Sequence, residues 1–178
     1  MRTLVTGGVR SGKSTYAESL LAGQDDVTYL TPGYLPDPEA DPEWAARVAT
    51  HRLRRPPNWA TIETLDLAGA LQRPGPFLVD CLGTWVTRTL DELDAWNRPE
   101  PLWRSAFAAE LQRLRLAWEA TPGPLVGVTN EVGWGVVSDH RSGRLFADQL
   151  GRTNQAIASV SDVVVLMVAG RPLHLPTA

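Results

Sequence analysis

The chain reads Gly7-Gly8-Val9-Arg10-Ser11-Gly12-Lys13-Ser14 near its beginning, and this stretch decides the fold because it matches the pattern G-x4-G-K-[ST]. It follows Thr3-Leu4-Val5-Thr6, which reads as a buried strand, and a helical pattern continues over residues 14–21. In such an arrangement, the N–H groups of the turn and the N-terminus of the helix face one point and bind phosphate. The sequence therefore predicts a phosphate-binding P-loop rather than a glycine-rich surface turn.

Lys13 is the only lysine in the chain, since the other residues among the 17 lysines and arginines are all arginine. A compact ammonium reaches the β- and γ-phosphates as a point charge, whereas a planar guanidinium is larger and differently directed. Gly7 and Gly12 permit backbone angles that a Cβ would block. The hydroxyl of Ser14 is placed to ligate Mg²⁺.

The composition limits the class of protein. With 178 residues, 43% of them hydrophobic, we expect a single domain over residues 1–178 with a sizeable core. A net charge of −3 argues against a broad surface for nucleic acid or membranes. No apolar run has the length of a membrane span, and one cysteine, Cys81, forms no internal disulfide. We therefore expect a cytoplasmic protein.

Short β-branched runs alternate with longer helical patterns, which is typical of an α/β fold with a mostly parallel sheet and helices on both faces. The strands are predicted over residues 2–6, 27–31, 60–64, 77–80, 125–129, 162–168 and 172–175, the last as an edge hairpin. The helices are predicted near 14–22, 42–54, 84–96, 100–119 and 144–159. With the P-loop, this predicts the P-loop NTPase class of fold.

The helix predicted near 100–119 carries an apolar stripe of Trp103, Phe107, Leu111, Leu114 and Trp118. Most such stripes belong to a core. A subunit interface is the alternative interpretation.

Two carboxylates end predicted strands. A P-loop enzyme needs a second group that holds the Mg²⁺ shell, and Asp80 supplies it because the carboxyl ends of parallel strands lie beside the P-loop. A helix cap is the other interpretation of Asp80. Glu63 would point to the same edge, although spacing alone does not separate it from a surface carboxylate.

His51 has the most suggestive surroundings of the three histidines, because four arginines lie within residues 47–55. Nearby cations keep an imidazole neutral and nucleophilic, and they attract phosphates. Chemistry alone leaves two interpretations open, a nucleophile or an inert histidine on a basic, solvated helix. His140, in a polar turn, and His174, on an edge strand, have weaker claims.

Four segments together resemble one known family. They are residues 6–14, the Arg-x3-His-x3-Arg-Pro segment around His51, the Thr-Asn-Glu-Val-Gly-Trp-Gly stretch at 129–135 and the Gly-Arg-Thr-Asn-Gln stretch at 151–155. The chain resembles the bifunctional adenosylcobinamide kinase and adenosylcobinamide-phosphate guanylyltransferase of cobalamin biosynthesis, over residues 2–175. The P-loop alone would be unspecific, and its combination with the other segments makes the resemblance specific.

The resemblance implies two reactions on a corrinoid substrate. First, ATP or GTP, with Mg²⁺, donates its γ-phosphate to the aminopropanol hydroxyl of adenosylcobinamide. Then a histidine attacks the α-phosphorus of GTP, pyrophosphate leaves, and GMP passes to adenosylcobinamide phosphate, which gives adenosylcobinamide-GDP. By its place in the motif, His51 is this nucleophile. A covalent intermediate splits one difficult transfer into two easier steps.

The resemblance also implies the site residues. His51 and Lys13 are catalytic, and Ser14 and Asp80 are the candidate Mg²⁺ ligands. The nucleotide-binding positions are Gly7, Gly8, Val9, Arg10, Ser11, Gly12, Lys13, Ser14, Thr31, Pro32, Gly33, Arg52, Leu53, Arg54, Arg55, Glu63 and Asp80.

Two positions depart from the family pattern. Thr50 stands where members often carry a second histidine, and Asp80 stands where some have glutamate. The shorter side chain leaves open whether Asp80 contacts Mg²⁺ or ribose. The resemblance further implies a RecA-like sheet and a homotrimer with nucleotide near the subunit boundaries.

Two other functions share the P-loop. A kinase of another small metabolite would use Lys13, Ser14 and Asp80 but would give His51 no covalent role. A RecA-like nucleic-acid-dependent ATPase or nucleotide switch is the second alternative. The pI of about 5.6 speaks against it, so we expect no nucleic-acid partner.

Overall fold

One sheet carries the fold. In the computed structural model, which describes residues 1–35, 37 and 39–176, its strands are β1 (Arg2–Gly7), β2 (Thr28–Thr31), β3 (Ala60–Glu63), β4 (Phe77–Asp80), β5 (Leu125–Val128), β6 (Val163–Val168) and β7 (Arg171–Leu175). Their order is β3-β2-β4-β5-β1-β6-β7. In this order, all neighbouring strands from β3 across to β6 pair in parallel, and β7 pairs antiparallel with β6. The predicted strands and the mostly parallel sheet are confirmed.

The helices are α1 (Lys13–Leu20), α2 (Pro42–Arg54), α3 (Leu67–Ala70), α4 (Leu82–Glu92), α5 (Arg104–Ala120) and α6 (Arg141–Ala158), with a 3-10 turn at Glu100–Leu102. In α2, the side chains of Trp44, Arg47, His51 and Arg54 lie outside the described part of the structure. None of the helices described is long and apolar enough to cross a membrane.

The helix predictions are wrong at three points. The sequence did not predict α3, which is a single turn capped by the Asp66 carboxylate and is too short to show a period. The predicted 84–96 helix ends at Glu92, because Asp94 has a positive φ of 50°. The predicted 100–119 helix is divided at Trp103, whose φ of −130° is not helical.

The sheet has a core on each face. In β4, Phe77 and Val79 join one cluster with Trp85 of α4, whereas Leu78 joins a second cluster with Ala17 of α1. Successive side chains of a strand point to opposite faces, so an unbroken apolar run is buried by helices on both sides. This confirms the predicted two-sided covering of the sheet.

The apolar stripe of α5 belongs to the first core. Trp103, Phe107, Leu114 and Trp118 are at most 2% exposed, and Leu111 packs against them. The Trp118 indole occupies the space where a Cβ of Gly127 in β5 would lie, so only glycine fits there. The core interpretation is confirmed, and the stripe gives no support to a subunit interface.

Candidate nucleotide-binding site

The P-loop connects β1 to α1 in a conformation that requires its glycines. A Cβ at Gly7 would lie 2.7 Å from the Met167 carbonyl oxygen and 2.8 Å from Ser11 Oγ. Gly12 has a φ of 91°, in the left-handed region that side chains disfavour. The Ser11 carbonyl oxygen accepts a hydrogen bond from Gly170 N at 3.0 Å, which ties the loop to the β6–β7 turn. Its shape is therefore preformed.

Polar groups inside the loop fit a phosphate ligand. Lys13 is only 8% exposed, and its Nζ donates to the Gly8 carbonyl oxygen at 3.0 Å. Ser11 Oγ is buried and has no hydrogen-bond partner among the described residues. A buried hydroxyl without a partner is costly, so it favours a ligand that completes its hydrogen bonding.

Ser14 and Asp80 offer the two oxygen ligands predicted for Mg²⁺. Ser14 lies in the first turn of α1 and is half-buried, and Asp80 ends β4. Asp80 pairs with Val128 in β5, which pairs with Val5 in β1. Two strand spacings, about 10 Å, therefore separate the Asp80 backbone from the P-loop strand. A hydroxyl and a carboxylate are ligand types that fit Mg²⁺.

Asp80 is held by a buried tyrosine. Tyr29 OH donates to Asp80 Oδ2 at 2.7 Å, and the Arg55 guanidinium lies 3.6 Å from the centre of the Tyr29 ring. Burial, followed by the charge of Asp80, raises the pKa of Tyr29 far above its usual range. Tyr29 is therefore a permanent donor. The N-cap of α4 is Cys81, so the structure does not support Asp80 as a helix cap.

A second group of predicted residues lies around β3, the strand at one end of the sheet order. Arg52, on the last turn of α2, forms an ion pair with Glu63 at the end of β3. Arg55 Nη1 donates to Thr61 Oγ1 at 2.9 Å. A cavity of about 460 Å³ opens here, and it is lined by Arg52, Arg55, Pro56, Pro57, Trp59, Thr61 and Glu63. Its volume is in the range of small-molecule sites.

The loop after β2 joins this second group. Arg88 Nη1 lies 3.3 Å from the carbonyl oxygens of both Pro32 and Gly33, and the Arg88 guanidinium is 4.7 Å from the centre of the Tyr34 ring. An adjoining cavity of about 420 Å³ is lined by Gly33, Tyr34, Leu35, Glu63 and Arg88. Thus Gly33 and Glu63, which are 30 residues apart in sequence, share one cavity wall.

The sheet brings the predicted residues to one edge but not into one cavity. Four strand spacings, about 19 Å, separate β3 with Glu63 from β1 with the P-loop. Thr31 ends β2, between these two groups. Leu53 is 88% exposed and lines none of the described cavities. The predicted roles of His51 and Arg54 concern side chains outside the described residues.

Two of the sequence segments meet beside the P-loop. Glu131 Oε1 accepts from Thr6 Oγ1 at 2.9 Å and from Asn154 Nδ2 at 3.3 Å. Thr129 Oγ1 donates to Asn154 Oδ1 at 2.6 Å, and Glu131 N donates to the Gly7 carbonyl oxygen at 3.1 Å. The exit of β5 is thereby fixed to the P-loop.

Sequence reasoning did not assign individual roles to Tyr29, Arg88, Glu131 or Asn154. The motif stretches at 129–135 and 151–155 were the only signal for the last two. Tyr29 lies in a buried apolar run, and Arg88 lies on a helix, so neither had a distinguishing pattern.

The P-loop, the parallel sheet and the acidic strand end define the chain as a P-loop nucleotide-binding protein. Its structure is similar to an ATPase from the type III secretion system of pathogenic bacteria, with a TM-score of 0.57 and 14% identity over 93% of this chain and half of that one. This likeness shows the fold alone.

Sequence comparison identifies the family. Residues 3–175 match the family described as "Cobinamide kinase / cobinamide phosphate guanyltransferase". The chain is 39% identical to the bifunctional adenosylcobalamin biosynthesis protein CobU of Salmonella typhimurium, over 96% of this chain and 97% of that protein. It is 38% identical to CobU of Escherichia coli, again over 96% of this chain and 97% of that protein. It is 37% identical to CobP of Pseudomonas aeruginosa, over 98% of this chain and 97% of that protein.

The chain belongs to the cobinamide kinase and cobinamide phosphate guanyltransferase family. It is a bifunctional transferase of cobalamin biosynthesis. The comparisons support this family. They do not support a kinase of another metabolite or a nucleic-acid-dependent ATPase.

Proposed function

We propose that this chain transfers GMP through a covalent bond to His51 and uses the P-loop for its kinase step. The observation that carries the proposal is the ion pair between Arg52 and Glu63. This ion pair fixes Arg52, the residue next to His51, at the carboxyl edge of the sheet. The P-loop lies at the same edge. Nucleotide sites of parallel sheets form at this edge.

In the kinase step, the loop N–H groups and Lys13 hold the β- and γ-phosphates of ATP or GTP. Ser14 and Asp80 would hold Mg²⁺, which when bound neutralises charge on the phosphate oxygens. The hydroxyl of adenosylcobinamide attacks the γ-phosphorus and gives up its proton to solvent. The new P–O bond replaces the bond to the β-phosphate oxygen, and the nucleoside diphosphate leaves with that electron pair. Positioning and charge carry this step, and it needs no protein nucleophile.

In the guanylyl step, a neutral His51 nitrogen attacks the α-phosphorus of GTP. A P–N bond forms, the bond to the β-phosphate oxygen breaks, and pyrophosphate leaves with the electron pair. A phosphate oxygen of adenosylcobinamide phosphate then attacks the same phosphorus and releases the imidazole. Arg52 and Arg55 line the nearby cavity, and we assign them to the GTP phosphates.

The nucleotide positions Thr31, Pro32, Gly33 and Glu63 belong to this proposal, because they lie at the carboxyl ends of β2 and β3. We also propose that residues 1–178 act as one catalytic domain, that the enzyme is a cytoplasmic homotrimer, and that it needs no nucleic-acid partner. A nucleotide substrate and a single cysteine fit the reducing cytoplasm.

The two half-reactions can be separated with His51→Ala. Because only the guanylyl step uses the imidazole, the variant should lose the GMP adduct and guanylyl transfer while it retains phosphorylation of adenosylcobinamide. Mass spectrometry after incubation with GTP measures the adduct, and a labelled γ-phosphate measures the kinase. His174→Ala is the matched control, since His174 lies exposed on β7.

An adduct that persists in His51→Ala, or that maps to His140 or His174, would assign the nucleophile to another residue. Equal loss of both activities would give His51 a binding or structural role.

A further inference from the structure

The loop that follows Glu131 exposes an unusual number of apolar side chains. We call residues 132–137 the apolar loop. The exposed fractions are 42% for Val132, 74% for Trp134, 100% for Val136 and 74% for Val137. The other two residues are glycines, so the loop has no charged side chain. Single exposed apolar residues are ordinary, but a contiguous group with an aromatic side chain indicates a binding surface.

The apolar loop is held at both ends. Before it, Glu131 N donates to the Gly7 carbonyl oxygen and the Glu131 carboxylate accepts from Thr6. After it, Arg144 Nη1 donates to the carbonyl oxygens of Ser138 at 2.8 Å and Asp139 at 2.9 Å. The apolar side chains are therefore presented from fixed ends rather than buried by packing of their own.

Gly133 and Gly135 add no side chains on either side of Trp134, which is itself 74% exposed. No heavy atom lies within 4 Å of the Cβ position of either glycine, apart from their immediate chain neighbours. A bulky ligand could approach the indole here without meeting side chains of the two flanking residues. A rigid indole gives a large apolar contact area and loses little conformational entropy on binding.

We propose that the apolar loop binds the corrin ring of adenosylcobinamide, with Trp134 against the methyl-bearing edge of the ring. This inference rests on the family activity, in which the acceptor hydroxyl must reach a γ-phosphate held by the P-loop. The loop begins one residue after the hydrogen bond between Glu131 and Gly7, so it starts beside the P-loop that would hold the reacting phosphate. Binding energy from a remote part of a substrate positions its reacting group.

The chemistry of the acceptor matches that of the loop at the ring edge. Methyl groups alternate there with neutral amide side chains, and an uncharged loop contacts such an edge without leaving a charge unpaired. A second copy of this chain is a poorer match. Four side chains cover a few hundred Å², whereas a stable protein interface buries about 800 Å² on each partner.

The test compares Trp134→Ala with Trp134→Phe. Equilibrium dialysis against adenosylcobinamide, followed by its visible absorbance, gives the dissociation constant directly. We expect binding to weaken roughly tenfold or more in the alanine variant and to recover in large part with phenylalanine. The KM for adenosylcobinamide in the kinase reaction should rise with it, while the KM for ATP stays unchanged. Leu116→Ala is the control, since Leu116 is 52% exposed on α5.

An unchanged dissociation constant and KM in Trp134→Ala would overturn the inference, provided that the wild type phosphorylates adenosylcobinamide. Loss of both activities with a lower mass by light scattering would also overturn it and would make the loop a subunit contact. A wild type that does not phosphorylate adenosylcobinamide would remove the proposed function together with this inference. Guanylylation by GTP checks that each variant is folded.

Discussion

Asp80 owes its orientation to a tyrosine that does not ionise. Burial and the neighbouring carboxylate both raise the pKa of Tyr29, so its hydroxyl keeps its proton and donates to Asp80 throughout the range in which the enzyme would work. A carboxylate with a fixed donor on one oxygen loses rotational freedom. If Asp80 holds Mg²⁺ as proposed, Tyr29 would orient the metal ligand without touching the metal.

Replacement of Asp80 by asparagine should change metal dependence more than stability. We expect the Mg²⁺ concentration for half-maximal kinase activity to rise well over tenfold in Asp80→Asn, and to rise roughly tenfold in Tyr29→Phe, which keeps the ring under Arg55 but removes the donor. A Mg²⁺ titration of phosphorylation, with thermal melts of each variant, measures both effects. Unchanged metal dependence with a markedly lower Tm would make Asp80 a structural acid.

Lys13→Ala should weaken triphosphate binding strongly without unfolding the chain. Hydrogen bonds to charged groups contribute about 1.5–3 kcal/mol, so affinity for ATP should fall by roughly one to two orders of magnitude. Isothermal titration measures the affinity, and phosphate transfer to adenosylcobinamide should fall with it. Arg73→Ala is the control, because Arg73 is exposed and precedes β4, at the opposite edge of the sheet. Near-native phosphorylation in Lys13→Ala would contradict the P-loop assignment.

Among the elements, the junction of β1, β5 and α6 couples the P-loop to the rest of the molecule. Thr129 is fully buried, and its hydroxyl and Asn154 hydrogen-bond each other. Asn154 also donates to the Asn130 carbonyl oxygen at 3.0 Å. One amide therefore satisfies the polar groups at the end of β5 and braces Glu131 against Thr6.

Asn154→Ala should destabilise the protein and weaken the kinase. It leaves the buried Thr129 hydroxyl without its acceptor, which costs about 1–3 kcal/mol, or a fall in Tm of roughly 2–10 °C for a chain of this size. Thermal melts and kinase assays at a temperature where the variant is folded separate the two effects. Gln155→Ala is the matched control, since Gln155 is the next residue of α6 and is exposed. An equal Tm in the two variants would contradict the bracing role.

The inner strands β1, β4, β5 and β6 could be predicted from sequence because each is a short apolar run whose signal is local. The P-loop could be predicted for the same reason, since its glycines, Lys13 and Ser14 are contiguous. The contacts that shape the rest of the site are not local. Tyr29 and Asp80 are 51 positions apart, and Arg88 lies 56 positions from Pro32. Such pairs depend on the order of strands in the sheet, which no single segment specifies.

For the molecule as a whole, the sheet spreads the functional side chains along one edge. The P-loop and Asp80 occupy one part, and Arg52, Arg55 and Glu63 occupy another. Because α2 carries His51 at the second part, the proposed function gives the two half-reactions separate sets of side chains. This separation is why a substitution in one set is expected to spare the other reaction.

The proposed homotrimer rests on the family resemblance, since Trp103 and Trp118 of the α5 stripe are buried in the core. Light scattering of the purified protein should give three times the chain mass of 19.4 kDa. The measurement should cover a range of micromolar concentrations, because mass action changes the assembly of a weak oligomer. A single species at the mass of one chain throughout would refute the trimer.

The burial of Lys13 in the P-loop has a practical consequence for labelling. Since the chain has no other lysine, an acylating reagent meets only one side-chain ammonium, besides the terminal amine. That ammonium is 8% exposed and is hydrogen-bonded to Gly8 within the loop. It should therefore react slowly in the free protein and more slowly still with ATP or GTP bound. Because Lys13 is the only lysine, peptide mapping would read this difference as the occupancy of the loop without interference from any other lysine.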